Sequence, residues 1–393
     1  MNHETCDVVV IGAGLVGAAI AFDLARTGAG VMLFEAESEL AAGASRSNSG
    51  VLHTGFDSTP DTLETRLIRA QAARWPAIFE ALGVPHRVPG ALLLARSDKE
   101  QGKLETIAVK AAHNGVEVEL VGQIRVRELE PNAPAIAGLL VPNEAMTDPY
   151  EVVRRLVVGL DVRLGCRVVS LEPDGQGVRV DWTSGEERGS IRARFAVNCA
   201  GLFADELSNG EFEITARRGE FIVYPHGTAN LVNHTLLPVP NDFTKGVLVF
   251  PTLYGHLCVG PTAEDQPDKC DWTPHADALE VLRRKAAEVV PRLAALEPVN
   301  AWAGLRTVGH PRNYLIEFSG RIPALLHVAG IRSTGLSACL GISEYAVGLL
   351  EERGLERSSA RAMPSISTVP SESARPWWER LNALRGVDSA RVR

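Results

Sequence analysis

No two of the six cysteines (Cys6, Cys166, Cys199, Cys258, Cys270, Cys339) are spaced as C-x-x-C. Neither a zinc site nor a disulfide framework is expected, and a reducing, cytoplasmic setting suits the chain. The body of the sequence has no basic block, and its formal net charge is −8, which speaks against a nucleic-acid partner. No apolar run approaches the span of a bilayer. Met1 to Asp7 lack the basic-then-apolar pattern of a secretory signal, and no internal repeat is visible. What is present is an ordinary globular balance of 45% hydrophobic and 22% charged residues over 393 positions. That length exceeds one ordinary core, so two domains interleaved in sequence are predicted.

The hydrophobic patterning sorts into two textures. Val8 to Ile11 is a short, wholly apolar run, as a buried parallel strand requires, and Val31 to Glu35 is a second buried strand. Leu15 to Thr27, Thr62 to Leu82 and Lys99 to Asn114 have helical spacing. Strands are predicted at Ala91 to Ala95, Val168 to Leu171, Val178 to Trp182, Ile191 to Asn198 and Leu325 to Val328. A helix is predicted from Leu336 to Leu350. From Phe212 the texture turns antiparallel, with strands at Glu213 to Tyr224, Gly246 to Phe250 and His256 to Gly260. The fold class expected is α/β plus α+β: a Rossmann-like domain built from discontinuous segments, with an inserted mixed or antiparallel-sheet domain. The expected boundaries are 1–85, 140–211 and 310–354 for the first domain, 86–139 and 212–309 for the second, and 355–393 as a mobile tail.

The run Gly12-Ala13-Gly14-Leu15-Val16-Gly17 stands between a strand and a helix. Gly12 permits a tight turn, Gly14 a close approach of backbone to pyrophosphate, and Gly17 close packing of helix on strand. Phosphates would sit on the helix N-terminus, where Leu15 and Val16 begin the first turn. Glu35, followed by Ala36, ends the second strand about 20 residues on, where an acid binds ribose hydroxyls. This fingerprint alone does not separate FAD from NAD. Three later segments favour FAD: the Gly/Ser loop Gly43 to His53, the strand-to-turn Ala196 to Gly201, and the strand, turn and helix start Val328 to Leu336.

At these residues, and at Ser47 to Asp57, Arg217-Arg218-Gly219-Glu220, Phe243 to Val249, Pro251-Thr252, Gly260 to Asp265 and Ala303 to Arg306, the chain resembles the D-amino-acid-oxidase superfamily of FAD enzymes. It is most similar there to the branch of FAD-dependent glycerol-3-phosphate dehydrogenases and oxidases and L-2-hydroxyglutarate oxidases. The resemblance spans about residues 5 to 350. It implies non-covalent FAD, with Ser45, Arg46, Asn48 and Ser49 along the pyrophosphate and flavin. It also implies Val168 at the adenine, Ala200 and Gly201 near the pyrophosphate, and Gly330, Ser333, Thr334, Gly335 and Leu336 at the pyrimidine edge. Backbone N–H groups at that helix start would steady the negative charge of the reduced ring.

On the substrate side the resemblance implies His53 as the base that removes a hydroxyl proton while hydride passes to flavin N5. A structural histidine, or a covalent flavin attachment at His53, are the alternatives. Lys245 and Arg306 match basic positions that bind an anionic substrate, with Ser333 a donor beside them. One of Arg217 and Arg218 is expected to face the pocket and the other to pair with an acid. No metal is expected. The expected reaction is oxidation of a small anionic alcohol, sn-glycerol 3-phosphate first. A 2-hydroxy acid such as L-2-hydroxyglutarate and a secondary amine or amino acid are the alternatives. The electron acceptor would be oxygen, quinone or another carrier. A non-catalytic FAD protein and an NAD dehydrogenase without flavin are the competing classes. The chain departs from its relatives at Thr307 and Thr334, where they carry proline, and at Arg332, where they often carry an acid.

Near the C-terminus, Pro376 to Arg385 has Trp377, Trp378, Leu381 and Leu384 on one helical face. A peripheral membrane contact and packing on the protein's own surface, or disorder, are the readings, with the membrane contact disfavoured.

Overall fold

The computed structural model describes residues 4–240, 246–358 and 375–386. Two large sheets and one small one organise the chain. The first sheet has a parallel centre in the order Asp161–Arg163, Val31–Phe34, Glu4–Ile11, Glu187–Asn198 and Leu325–Ala329. Val8, Val9 and Val10 are fully buried, as a strand covered on both faces must be. The antiparallel strand Leu315–Phe318 and the hairpin of Arg167–Asp174 with Gly177–Ser184 complete it.

Helices Leu15–Arg26, Leu63–Leu82 and Gly335–Glu352 pack together beside this sheet. Their joint is polar as well as apolar. The buried Gln71 amide donates to the Leu336 carbonyl at 2.5 Å and accepts from the Leu340 N–H at 2.9 Å. Those are the two groups that a helical turn ordinarily joins. Arg74 grips Asp23 with two bonds of 3.0 and 2.9 Å, and Ser343 donates to the same carboxylate at 2.6 Å. The start of the last long helix is thereby held in place from two other helices.

The second sheet runs Glu264–Gln266, Glu213–Val223, Leu257–Gly260, Leu248–Pro251, Thr235–Pro238, Ala91–Ala95, Ala137–Val141 and Glu119–Gly122. Its pairs are antiparallel except that of Thr235–Pro238 with Ala91–Ala95. A strand absent from the sequence reading, Asn300–His310, pairs with Glu213–Val223 along the whole of both. The parallel and mostly antiparallel sheets together are the predicted fold class.

The small sheet decides where two side chains meet. Val51–Leu52 and His86–Arg87 flank Ala145–Thr147, all antiparallel. Leu52 stands opposite Ala145, so the next residues outward, His53 and Glu144, face one another.

The expected mobile tail is corrected over its described part. Trp377–Arg385 is a helix seated on the protein, with Trp377 and Trp378 fully buried. The Trp378 ring stacks on Trp302 at 5.6 Å and Trp302 on Phe221 at 4.6 Å. Two large rings removed from water offset the ordering of a short segment. Packing on the protein's own surface is therefore the reading that holds. Among the described residues no helix is long and apolar enough to cross a membrane.

The helix joint yields a stability prediction. A Cβ on Gly341 would lie 2.1 Å from the Leu67 carbonyl oxygen, in the backbone of the neighbouring helix. Gly341→Ala should therefore cost about 1–3 kcal/mol, despite alanine's better helix propensity. The measurement is the urea-unfolding midpoint; an unchanged or raised midpoint would show that the helices do not approach this closely.

Candidate functional site

Strand Glu4–Ile11 delivers the chain into a turn that only glycine fits. Gly12 has φ +100°, and a Cβ there would lie 2.5 Å from the Cys199 carbonyl oxygen. A Cβ on Gly17 would stand 1.9 Å from the Gly12 oxygen, and one on Gly14 would stand 2.8 Å from Ser45 Oγ. These three absences of side chain open one end of a cavity of about 500 Å³.

Most of the expected cofactor residues line this cavity. Gly12, Gly14, Leu15, Val16 and Gly17 come from the first turn, and Glu35 and Ala36 from the end of the second strand. Ser45 and Asn48 come from the Gly/Ser loop, and Val168, Ala200 and Gly201 from the far side. Gly330, Ser333, Gly335 and Leu336 come from the last turn and helix start. Three do not line it. Arg46 is fully buried behind the loop, paired with Glu39 at 2.6 Å and lying over the Tyr150 ring. The Ser49 hydroxyl accepts from the Val51 N–H at 3.3 Å. Thr334 turns outward to Glu64 and Tyr314, each at 2.7 Å.

Helices Leu15–Arg26 and Gly335–Glu352 both begin at the cavity, and neither has a cap from its own N-cap side chain or an acid in its first turn. Helix N-termini carry partial positive charge and N–H groups suited to an anion. Ser45 Oγ accepts from the Leu15 N–H at 2.9 Å and so stands at the first of these ends. Glu35 takes the N–H groups of Ala13 at 2.8 Å and Glu37 at 3.0 Å, which fix its carboxylate at the cavity wall. Burial pushes the Glu35 carboxyl above its usual range, while the amide bonds to Glu37 and Ala13 act the other way. These features fit FAD: a glycine cradle, uncapped helix ends for a diphosphate, and an acid for ribose hydroxyls.

Arg306 lines the same cavity from strand Asn300–His310. Among the described residues its guanidinium donates to two backbone carbonyls, Thr262 at 2.6 Å and Arg218 at 3.1 Å, and its buried Nε has no hydrogen-bond partner. Burial first, then the charge of Arg217, pushes it down to about 10. Among the described residues no carboxylate forms an ion pair with it. The contrast with its neighbours is informative. Arg217, directly opposite in the sheet, is paired with Asp265, and the buried Arg218 is paired with Asp271. The expectation that one of them faces the pocket is thus corrected, since both are answered by acids and neither lines the cavity. Thr307 donates to the Ile331 carbonyl at 2.6 Å, tying this strand to the turn before the last helix. Arg332 lies at the cavity wall, 3.4 Å from Glu64. Lys245 lies outside the described residues.

His53 does not line the cavity itself. Its N–H donates to Ser337 Oγ at 2.8 Å, one residue from the cavity-lining Leu336. Its Nδ1 lies 2.9 Å from Glu144 Oε2. Glu144 is 1% exposed, and its other oxygen accepts from the Thr54 N–H at 2.6 Å and hydroxyl at 2.8 Å. A carboxylate fixed at two points by Thr54 thus bonds the imidazole at Nδ1. Sequence reading missed Glu144, because it lies 91 residues from His53 and no local motif marks it.

The glycine cradle gives a direct test. Gly12→Ala forces a Cβ onto the Cys199 carbonyl in a left-handed conformation. The variant should fail to take up FAD in a fluorescence-quenching titration while its far-ultraviolet dichroism persists. Stoichiometric uptake would show that the turn has no such constraint.

With this geometry in view, comparison with known proteins is direct. The family model described as DAO, FAD dependent oxidoreductase, matches residues 7–349. A glycerol 3-phosphate dehydrogenase of Caloramator mitchellensis is 31% identical over 357 residues, covering 88% of this chain and 74% of that protein. A glycerol 3-phosphate oxidase of Mycoplasma pneumoniae is 30% identical, covering 88% and 95%. An L-2-hydroxyglutarate dehydrogenase of Escherichia coli is 29% identical over 271 residues, covering 65% and 64%. Among solved structures, the L-alpha-glycerophosphate oxidase of Mycoplasma pneumoniae with FAD bound superposes with a TM-score of 0.85 at 26% identity, covering 93% of this chain and 99% of that one. The chain belongs to the DAO family of FAD dependent oxidoreductases, and FAD is its cofactor.

Proposed function

We propose that the enzyme oxidises sn-glycerol 3-phosphate to dihydroxyacetone phosphate. The observation that carries this reading is Arg306, a cavity-lining cation that among the described residues has no carboxylate in an ion pair and keeps a buried, unpartnered Nε. A cation left so is completed by an anionic ligand, and its planar fork suits phosphate or carboxylate. The glycerol 3-phosphate dehydrogenase and oxidase among the relatives favour phosphate.

In this reading Arg306 holds the phosphate, with Lys245 as a second cation by resemblance and Ser333 as a hydrogen-bond donor. His53 takes the hydroxyl proton. Glu144 accepts the hydrogen on Nδ1, so the lone pair of the neutral ring is at Nε2. FAD, when bound, supplies the acceptor for the hydride leaving the carbinol carbon. The substrate thus loses one proton and one hydride and becomes the ketone. Glu144 is a positioning residue here: it sets the tautomer and the ring direction of the base.

A second reading is oxidation of a 2-hydroxy acid such as L-2-hydroxyglutarate, supported by the Escherichia coli relative and by the equal fit of a carboxylate to the arginine fork. Anaerobic mixing of the yellow enzyme with glycerol 3-phosphate, 2-hydroxyglutarate, lactate, sarcosine and glycine separates them. Glycerol 3-phosphate should bleach the flavin fastest; bleaching by another member alone refutes the phosphate reading. His53→Ala should keep FAD and slow the bleaching about 10²- to 10⁴-fold. A normal rate in that variant removes His53 as the base. Recovery of colour in air, or only with a quinone, identifies the acceptor.

A further inference from the structure

The helix Trp377–Arg385 lies beyond the residues that the family model matches, yet it reaches the cofactor cavity. We propose that Arg385 is an FAD-binding residue, contributing a cation to the cofactor's diphosphate from the C-terminal helix.

Four observations place it there. Arg385 lines the same cavity as the glycine turn and Glu35. Its Nη2 donates to the Ala42 carbonyl at 2.7 Å, and Ala42 precedes by three residues the Ser45 whose hydroxyl stands at the first helix N-terminus. Its guanidinium lies over the Trp272 ring at 4.7 Å, which fixes the plane of the fork. Among the described residues its buried Nε has no hydrogen-bond partner, and its ion pair with Glu37, at 3.9 Å, is a long one. The cation is therefore held by a carbonyl and a ring, and its charge is incompletely answered.

The chemistry of the surroundings names the ligand. Arg385 reaches Glu37, two residues after the acid suited to ribose hydroxyls, and Ala42, three residues before the Ser45 at the helix end suited to phosphate. A dinucleotide places its diphosphate between those two features. An arginine fork meets phosphate oxygens with paired N–H groups, and its full charge exceeds the partial charge of a helix terminus.

The helix that carries Arg385 is firmly seated. Asn382 Nδ2 donates to Asn300 Oδ1 at 2.8 Å and to the Ala301 carbonyl at 2.9 Å, both buried. Trp377 Nε1 donates to the Asn48 carbonyl at 3.2 Å, so the same helix braces the Gly/Ser loop from behind. The C-terminal helix thus meets the cofactor site twice, by supporting one wall and by presenting a charge.

The test uses full-length apoprotein stripped of FAD, with calorimetric titrations of FAD, ADP and adenosine against the wild type, Arg385→Ala and Arg385→Lys. Arg385→Ala should weaken FAD and ADP about 10- to 100-fold and leave adenosine, which has no phosphate, unchanged. Arg385→Lys should recover part of the loss, since it keeps the charge without the fork. Thermal unfolding of each apoprotein confirms that the folded state compared is the same. Unchanged FAD and ADP affinity overturns the proposal. So does an equal loss for adenosine and ADP, which would mean that Arg385 acts by shaping the Ala42 loop.

Discussion

Positive charge left unanswered at one cavity is the constraint around which this molecule is built. Two helices begin there without a cap from their own N-cap side chains, and among the described residues Arg306 arrives there with carbonyls for partners. Elsewhere on the same sheet the protein supplies an acid for each neighbouring arginine, Asp265 for Arg217 and Asp271 for Arg218. The omission at Arg306 is therefore local. Burying a cation without a counter-ion opposes folding, and such an arrangement persists where a ligand supplies the missing charge. The diphosphate of FAD meets that need at the helix ends, and the proposed anionic substrate would meet it at Arg306.

Holding those groups in register is the task of the rest of the fold. The glycine turn depends on Cys199 and Gly12 approaching more closely than a side chain allows. The helix start at Gly335 is fixed by Gln71 from one neighbouring helix, and Arg74 and Ser343 share Asp23 of another. Thr307 then ties the strand bearing Arg306 to the turn that leads into that helix. The Phe221, Trp302 and Trp378 stack lies beneath the Gly/Ser loop, with Trp302 Nε1 donating to the Ser47 carbonyl at 3.0 Å. Arg306, the cofactor cradle and the loop are thus linked through hydrogen bonds between segments far apart in sequence.

That separation explains what could be read in advance. The glycine fingerprint, Glu35 and the buried strands were legible because each is local: a turn, an end of a strand, a run of apolar residues. Arg46 and Thr334 stand at family positions, but a motif gives a place in the chain and says nothing of side-chain direction, and both turn away from the cavity. Glu144 was invisible because its partner is brought opposite only by pairing of Leu52 with Ala145. Strand Asn300–His310 hid behind its small residues and its tryptophan until Glu213–Val223 paired with it. The C-terminal segment reads as a tail because it is rich in Ser, Arg and Pro; the apolar face of Trp377, Trp378, Leu381 and Leu384 was legible, but what its indoles pack on is set only in the assembled sheet.

The claim that Arg306 is the seat of an anion beside the flavin is open to a measurement that needs no turnover. Inorganic phosphate, which cannot be oxidised, is titrated into the yellow enzyme and into its Arg306→Met variant while the visible flavin spectrum is followed. The account predicts a saturable spectral change in the wild type that is lost, or moved at least about tenfold higher in phosphate, in a variant that still holds FAD. The same phosphate affinity in both proteins would contradict it.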